Sequence, residues 1–114
     1  MTVLLVDDDA DALVLLQMVL ARRGIPSVLA SSVAEARLKL GDDHSGVDVV
    51  VTDFELGDGD GMELHALRGP LVKTFVVLTG RTTLSAPADV RVLRKPLDVQ
   101  QLLAVIAPDL VANR

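Results

Sequence analysis

Acidic, hydroxyl and ammonium side chains stand at the ends of the apolar runs of this sequence. Asp7 to Asp9 follow the first run, and Asp53, Thr79 and Lys95 each follow a later one. Parallel strands bring their carboxyl ends to one edge of a sheet, which is where open α/β proteins bind ligands. If these runs are parallel strands, the side chains therefore meet at one site.

This set of side chains is suited to divalent-cation binding and phosphoryl transfer. Clustered carboxylates repel one another unless a hard cation lies among them, and Mg²⁺ is usually held by few carboxylates and several waters. A carboxylate beside Mg²⁺ can attack a phosphoryl group and form an acyl phosphate. The negative charge on the oxygens of the transferred phosphoryl group is then compensated by the metal, an ammonium and a hydroxyl donor. Asp8, Asp53, Thr79 and Lys95 would supply these groups.

Each residue also has a simpler structural interpretation. Acids after strands commonly cap helices, which we predict for Asp9 and Asp11. An aspartate such as Asp53 often occupies a turn, and a single threonine or lysine at a strand end indicates little. The combination is more specific than any of its members because four strand ends have to agree.

The elements that would position these residues alternate along the chain. Apolar runs predict five buried strands, at Thr2–Val6, Ser27–Ala30, Asp48–Thr52, Thr74–Leu78 and Val90–Leu93. Caps and apolar spacing predict helices over Asp11–Arg23, from the capping box Ser32–Glu35 to about Leu40, over Met62–Arg68, and from Val99 to about Leu110. Polar loops are predicted at Gly41–Gly46 and Gly57–Gly61, and a helix break at Gly69-Pro70. Such alternation indicates a parallel sheet covered on both faces, in a single domain over residues 1–114.

Composition argues against several classes of function. The 16 acids and 11 bases give a net charge of −5, and aromatic residues are 2% of the chain, so no direct nucleic-acid binding is expected. The absence of cysteine excludes disulfides, thiolate metal sites and cysteine nucleophiles. No apolar run approaches the roughly 20 residues of a membrane span, and no signal peptide is predicted. We therefore expect a soluble, cytoplasmic protein without a membrane segment.

Over its whole length the chain resembles the response-regulator receiver domain of two-component signalling. The motifs that carry the resemblance are Val6-Asp7-Asp8, Asp53, Asp60-Gly61, Thr79-Gly80 and Lys95-Pro96. The resemblance implies a flavodoxin-like (βα)5 fold, a three-layer sandwich around a five-stranded parallel sheet. It also implies phosphorylation-dependent signalling by a phosphoacceptor with slow autodephosphorylation rather than by a metabolic enzyme.

The same resemblance implies the roles of the acidic residues. Asp53 would accept a phosphoryl group from a phosphohistidine of a histidine kinase or a histidine phosphotransfer protein. Asp8 would bind Mg²⁺ directly and Asp7 would assist, partly through water. Asp53 and the backbone carbonyl of Glu55 would complete the protein ligands of the metal.

Further roles follow from the resemblance for residues around the acids. Thr79 would hydrogen-bond a phosphoryl oxygen and shift on phosphorylation, Lys95 would pair with the phosphoryl group, and the peptide bond to Pro96 would be cis. Glu55 and Arg81 occupy positions that tune hydrolysis of the acyl phosphate in receivers. Because their charges are opposite, they could pair and partly close the site, or remain two solvated side chains.

The chain also departs from the receiver pattern. Gly57 stands where the family usually has proline, and Val92 stands where its switch aromatic would fall. The stretch between Thr79 and Lys95 is several residues shorter than usual, so the fourth helix is predicted to be shortened or missing. This puts the usual output face in doubt, although a homodimer remains open.

The first helix is apolar on two sides. We predict that one side is buried, through Ala12, Leu15, Leu16, Val19 and Leu20. The other side carries Leu13, Val14, Gln17, Met18 and Ala21, and such an exposed apolar stripe often marks an interface. In receivers the histidine-bearing helices dock on this outer side, so we predict a partner face there. The alternatives are a different helix phase or coverage by the last helix.

Other functions fit the residues less well. A haloacid-dehalogenase-type phosphatase could use Asp7 to Asp9, but its final acidic motif should follow the lysine. A calcium loop starting at Asp53 would need glycine where Asp58 stands. No Rossmann glycine fingerprint follows the first strand. The remaining alternative is a pseudo-receiver that docks partners without phosphorylation, either alone or within a larger protein.

Overall fold

The computed structural model describes residues 1–41, 46–67 and 72–108. Its strands are β1 (Val3–Val6), β2 (Ser27–Ala30), β3 (Val49–Asp53), β4 (Glu55–Leu56), β5 (Gly59–Asp60), β6 (Thr74–Thr79) and β7 (Val90–Arg94). Its helices are α1 (Ala10–Arg22), α2 (Val33–Gly41), a 3₁₀ helix (Gly61–Leu67) and α3 (Val99–Ile106). Among the described residues, no helix is long and apolar enough to cross a bilayer.

Five strands form one parallel sheet in the order β2-β1-β3-β6-β7, as the alternation of elements predicted. Every residue of β1 and β3 is buried because these strands lie inside the sheet and are covered on both faces. One face packs on α1 and α3, and the other packs on α2 and the 3₁₀ helix. The flavodoxin-like three-layer arrangement is confirmed.

The register of the strands aligns their carboxyl ends. Val6 pairs with Thr52, so Asp7 and Asp53 leave the sheet side by side. Thr79 pairs with Arg94, and the Lys95 amide donates to the Thr79 carbonyl at 2.8 Å. The ends of four strands are therefore held by backbone hydrogen bonds at one edge.

Residues 80–89 connect β6 to β7 without a helix. Leu84 and Ala86 are partly buried against the core beneath α2, and the Val90 amide closes a turn on the Pro87 carbonyl at 3.0 Å. The prediction of a shortened or missing fourth helix is confirmed.

The prediction for the first helix is confirmed at Leu20, which is buried, and at Val14 and Met18, which are exposed, but it is wrong at Leu13 and Leu15. Leu13 and Leu20 are buried, with exposures of 4% and 0%, whereas Leu15 is 62% exposed. Leu13 therefore belongs to the core and cannot form part of a partner face. The sequence does not decide between Leu13 and Leu15 because α1 is apolar on both sides, and packing against the sheet buries Leu13 together with Leu20, two turns further on.

Several predicted boundaries also change. The segment predicted as a helix over Met62–Arg68 is a 3₁₀ helix that begins at Gly61, and Arg68 lies outside the described residues. Asp9 rather than Asp11 caps α1, through bonds from the Asp11 and Ala12 amides. The loop predicted at Gly57–Gly61 contains the hairpin β4–β5 and the start of the 3₁₀ helix. Most of the predicted Gly41–Gly46 loop, the Gly69-Pro70 break and Leu110 are likewise not described.

The burial of Leu13 and the exposure of Leu15 predict that alanine substitution at these two positions of α1 has effects of very different size. Leu13→Ala should lower the free energy of unfolding by about 2 to 5 kcal/mol because it opens a cavity in the core. Leu15→Ala, on the exposed side, should change it by less than about 0.5 kcal/mol. Urea unfolding of both variants measures the difference, and a larger loss in Leu15→Ala would restore the original phase.

Candidate functional site

Three carboxylates meet at the carboxyl edge of the sheet. Asp7 and Asp8 follow β1 and Asp53 ends β3, and one oxygen of each lies within 4.8 Å of the others. Asp7 and Asp53 are buried while Asp8 is exposed. Burying like charges this close together is unfavourable unless a positive charge compensates them.

Lys95 supplies a positive charge from the end of β7. Its Nζ lies 2.8 Å from Asp53 Oδ1. Asp53 Oδ1 is fully buried, so this close ion pair lies inside the site. The Lys95–Pro96 peptide bond that follows is cis.

The surroundings of Asp53 raise the pKa of its carboxyl group from 3.8 to about 6. Burial is the largest cause, and neighbouring Asp7 adds to it, while the Lys95 ammonium opposes both. Partial burial opposes the charge of Lys95, but its contact with Asp53 and its attraction to Asp7 and Asp8 outweigh burial, so the pKa of Lys95 is raised. One ammonium thus compensates the three acids only in part.

This donor set fits a hard divalent cation. Carboxylate oxygens are the ligands that Mg²⁺ prefers, and three of them converge from two strands. These three acids carry more negative charge than the Lys95 ammonium offsets, which is consistent with a site that also receives a cation. Asp7, Asp8 and Asp53 are the described residues whose side chains could hold it.

Thr79 lies beside the acids at the end of β6. Its side chain is almost fully buried, and its hydroxyl oxygen accepts the Arg81 amide at 3.1 Å. This bond fixes the direction in which residues 80–89 leave the sheet. A cavity of about 270 Å³ lies between Thr79, Lys95, Glu55 and Arg81.

Glu55 and Arg81 form an ion pair over this cavity. Arg81 Nε and an Nη both donate to Glu55 Oε1 at 3.1 Å, and the guanidinium stacks 4.9 Å from the centre of the Phe54 ring. The structure thus brings together the two residues predicted to tune the site. Both side chains are more than half exposed, so the pair is weak and can open.

The turn after Asp53 contains features that sequence reasoning missed. Gly61 packs so closely that a side chain there would collide with the Asp53 carbonyl and Thr52, and its amide donates to the Phe54 carbonyl at 2.7 Å. Asp58, at the tip of the β4–β5 hairpin, accepts hydrogen bonds from the first amides of α2. The close glycine-aspartate spacing indicates a turn, but nothing in it indicates a contact with a helix 25 residues earlier.

The remaining predicted site residues lie on α1. Val14 and Met18 are exposed on its outer side, Gln17 is half-buried and Leu13 is in the core. A second cavity, of about 540 Å³, runs from the acids to Leu15, Leu16 and Pro96. Of the residues predicted to form a partner face, Val14 and Met18 are exposed, and the exposed Leu15 lies beside them.

The fold and site define an α/β protein with an acidic pocket at the carboxyl edge of a parallel sheet, and comparisons with known proteins identify its class. The family model described as response regulator receiver domain matches residues 3–107, so the chain belongs to that family. No curated protein matches the sequence.

Solved receiver structures share the fold. A response regulator receiver protein from Sinorhizobium medicae WSM419 superposes with a TM-score of 0.81 at 27% identity, over 99% of this chain and 96% of that one. The receiver domain of the hybrid histidine kinase CckA gives 0.79 at 21% identity, over 96% and 99%. A response regulator from Burkholderia pseudomallei, with a phosphorylated aspartic acid, calcium and citrate, gives 0.75 at 24% identity, over 98% and 69%.

The electrostatics of the acid cluster predict that neutralising Asp53 stabilises the metal-free fold. A raised pKa means that the folded state holds the proton more tightly, so stability falls as pH rises from about 3.8 to about 6. Asp53→Asn should therefore melt at a higher temperature than the parent protein at pH 7.5 without metal, and the difference should vanish near pH 3.5. Thermal melts at both pH values measure this, and a lower melting temperature for the variant at pH 7.5 would contradict it.

Proposed function

We propose that this receiver domain accepts a phosphoryl group on Asp53 from a phosphohistidine and signals through the resulting change in its surface. The observation that carries the proposal is the buried Asp53 carboxylate, 2.8 Å from Lys95 Nζ and grouped with Asp7 and Asp8. The phosphorylated aspartic acid in the Burkholderia pseudomallei structure of the same fold supports it.

In the proposed transfer, an Asp53 carboxylate oxygen attacks the phosphorus of the donor phosphohistidine. An O–P bond forms, the P–N bond breaks, and its electron pair stays on the imidazole nitrogen. With a pKa of about 6, Asp53 is mostly ionised at neutral pH and able to act as the nucleophile. The Lys95 ammonium and the Thr79 hydroxyl stand beside it to bind the transferred oxygens.

The proposal includes a Mg²⁺ site. Asp8 and Asp53 would bind the ion directly, with Asp7 assisting partly through water and the Glu55 carbonyl as a further ligand. Bound Mg²⁺ would offset the charge of the carboxylates and of the phosphoryl oxygens. Asp8 is the exposed member of the group and so the one that solvent ions reach first.

The donor in this proposal is a histidine kinase or a histidine phosphotransfer protein in the cytoplasm. The protein would then be a phosphoacceptor, with slow loss of its own phosphoryl group, rather than a metabolic enzyme. Because residues 80–89 form no helix and Val92 replaces the switch aromatic, the surface change would pass from Thr79 through Arg81 into this segment. Val14 and Met18 on α1 would belong to the face that meets the donor.

Incubation with acetyl phosphate tests the proposal. Intact-mass spectrometry should show one added phosphoryl group in the presence of Mg²⁺, and none without Mg²⁺ or in Asp53→Ala. No adduct on the parent protein under any condition would overturn it and favour a docking module that acts without phosphorylation.

The ion pair over the site predicts the lifetime of the acyl phosphate. If Glu55 and Arg81 shield it from water together, Glu55→Ala and Arg81→Ala should each shorten the lifetime, by less than about fivefold because the pair is exposed. The double variant should be no shorter-lived than either single one, since both remove the same interaction. Lifetimes are read by intact mass after removal of the donor; unchanged or independent, additive effects would exclude a joint role.

A further inference from the structure

The hairpin that follows Asp53 has little rigidity of its own. It consists of β4 and β5, two residues each, which pair Glu55 with Asp60 and Leu56 with Gly59 around the turn Gly57-Asp58. Two-stranded hairpins are marginally stable alone, and glycines increase the entropy lost on ordering. Something outside the hairpin has to hold it in place.

Asp58 provides an attachment at the tip. Its Oδ1 accepts the Val33 amide at 2.8 Å and its Oδ2 accepts the Ala34 amide at 3.0 Å. These are the first two amides of α2, which have no partner within the helix. The next amide, of Glu35, is bound at 3.0 Å by Ser32 Oγ, so two residues share the capping of one helix.

The electrostatics of this contact favour an ionised carboxylate. Negative charge is stabilised at a helix N-terminus, where the amides point outward. The bonds from the Val33 and Ala34 amides lower the pKa of Asp58, so it stays charged across the neutral range. Asparagine removes the charge and has one acceptor oxygen in place of two, so it can keep only one of the bonds from the Val33 and Ala34 amides.

The hairpin also lies next to the acid cluster. A side chain at position 57 would begin 4.0 Å from Asp8 Oδ2, so the turn is adjacent to that carboxylate. Glu55 begins the hairpin, and its side chain reaches Arg81 across the site. The base of the hairpin is fixed by the Gly61 amide on the Phe54 carbonyl, at 2.7 Å. Its tip is fixed by Asp58 alone among the hydrogen bonds of the described residues.

We infer that Asp58 is a positioning residue, which holds the 55–60 hairpin over the acid cluster by binding the start of α2 and thereby sets the divalent-cation affinity of the site. This inference rests on the proposed Mg²⁺ site and adds a residue to its support. In this inference, the contact of Asp58 with α2 gives the β4–β5 turn the rigidity that a proline at position 57 would otherwise supply.

Three variants separate anchoring from charge and from helix capping. Asp58→Ala removes the charge and both amide bonds, and Asp58→Asn removes the charge and keeps one bond. Ser32→Ala removes a cap of the same helix without touching the hairpin. Calorimetric titration should give Mg²⁺ binding about tenfold weaker in Asp58→Ala, a typical cost of losing support behind a metal ligand. The affinity of Asp58→Asn should lie between this value and that of the parent, and Ser32→Ala should stay near the parent. In the metal-free protein, hydrogen exchange at the Asp60 and Gly61 amides should accelerate most in Asp58→Ala, less in Asp58→Asn, and not in Ser32→Ala.

Each contrary result has a distinct meaning. Equal Mg²⁺ affinities in Asp58→Asn and Asp58→Ala, both weaker than the parent, would show a charge effect and overturn the anchoring role. An equal loss of Mg²⁺ affinity in Ser32→Ala would show that the effect comes from the stability of α2, which would also overturn the anchoring role. Parent-like affinity and exchange in Asp58→Ala would overturn it while leaving the proposed function intact, whereas a parent protein that binds no Mg²⁺ would overturn both.

Discussion

The repulsion among Asp7, Asp8 and Asp53 is the constraint on which the rest of this structure depends. Three carboxylates within 4.8 Å, two of them buried, face the single ammonium of Lys95. The fold tolerates this because β1 and β3 are buried along their whole length and fix the carboxylates through the backbone. This excess of negative charge is one that binding of a cation would offset, and in the proposed function the Lys95 ammonium would bind the phosphoryl group.

Two segments beside this edge of the sheet lie outside its five parallel strands. The hairpin 55–60 and the helix-free segment 80–89 both leave the sheet directly from site residues. Each is held by a few polar contacts and a few apolar side chains, Leu56 in the hairpin and Leu84 and Ala86 in the segment. They meet where Arg81 pairs with Glu55. In the proposed function, a change of charge at Asp53 therefore acts first on two weakly held segments, while the sheet beneath them stays fixed.

Much of this arrangement follows from the sequence because it depends on local patterns. Short apolar runs ending in Asp7, Asp53, Thr79 and Lys95 predict both the parallel sheet and the edge at which the site lies. The missing fourth helix follows from the short distance between Thr79 and Lys95. These features need only the type and spacing of residues along the chain.

The features that the sequence did not predict depend on tertiary packing. The burial of Leu13 instead of Leu15 is decided by which side of an apolar helix meets the sheet. The 3₁₀ helix begins at Gly61, which packs against the Asp53 carbonyl in a contact that local patterns do not mark. The Asp58 contact joins segments 25 residues apart, and no local pattern marks it.

A titration of Mg²⁺ followed by amide NMR tests the central claim, that this acid cluster is a divalent-cation site, most directly. We predict saturable shifts concentrated on the amides of residues 7–9 and 53–57, and no such shifts with Na⁺ at equal ionic strength. Shifts that do not saturate, or that spread evenly over the exposed acids of the chain, would contradict the claim.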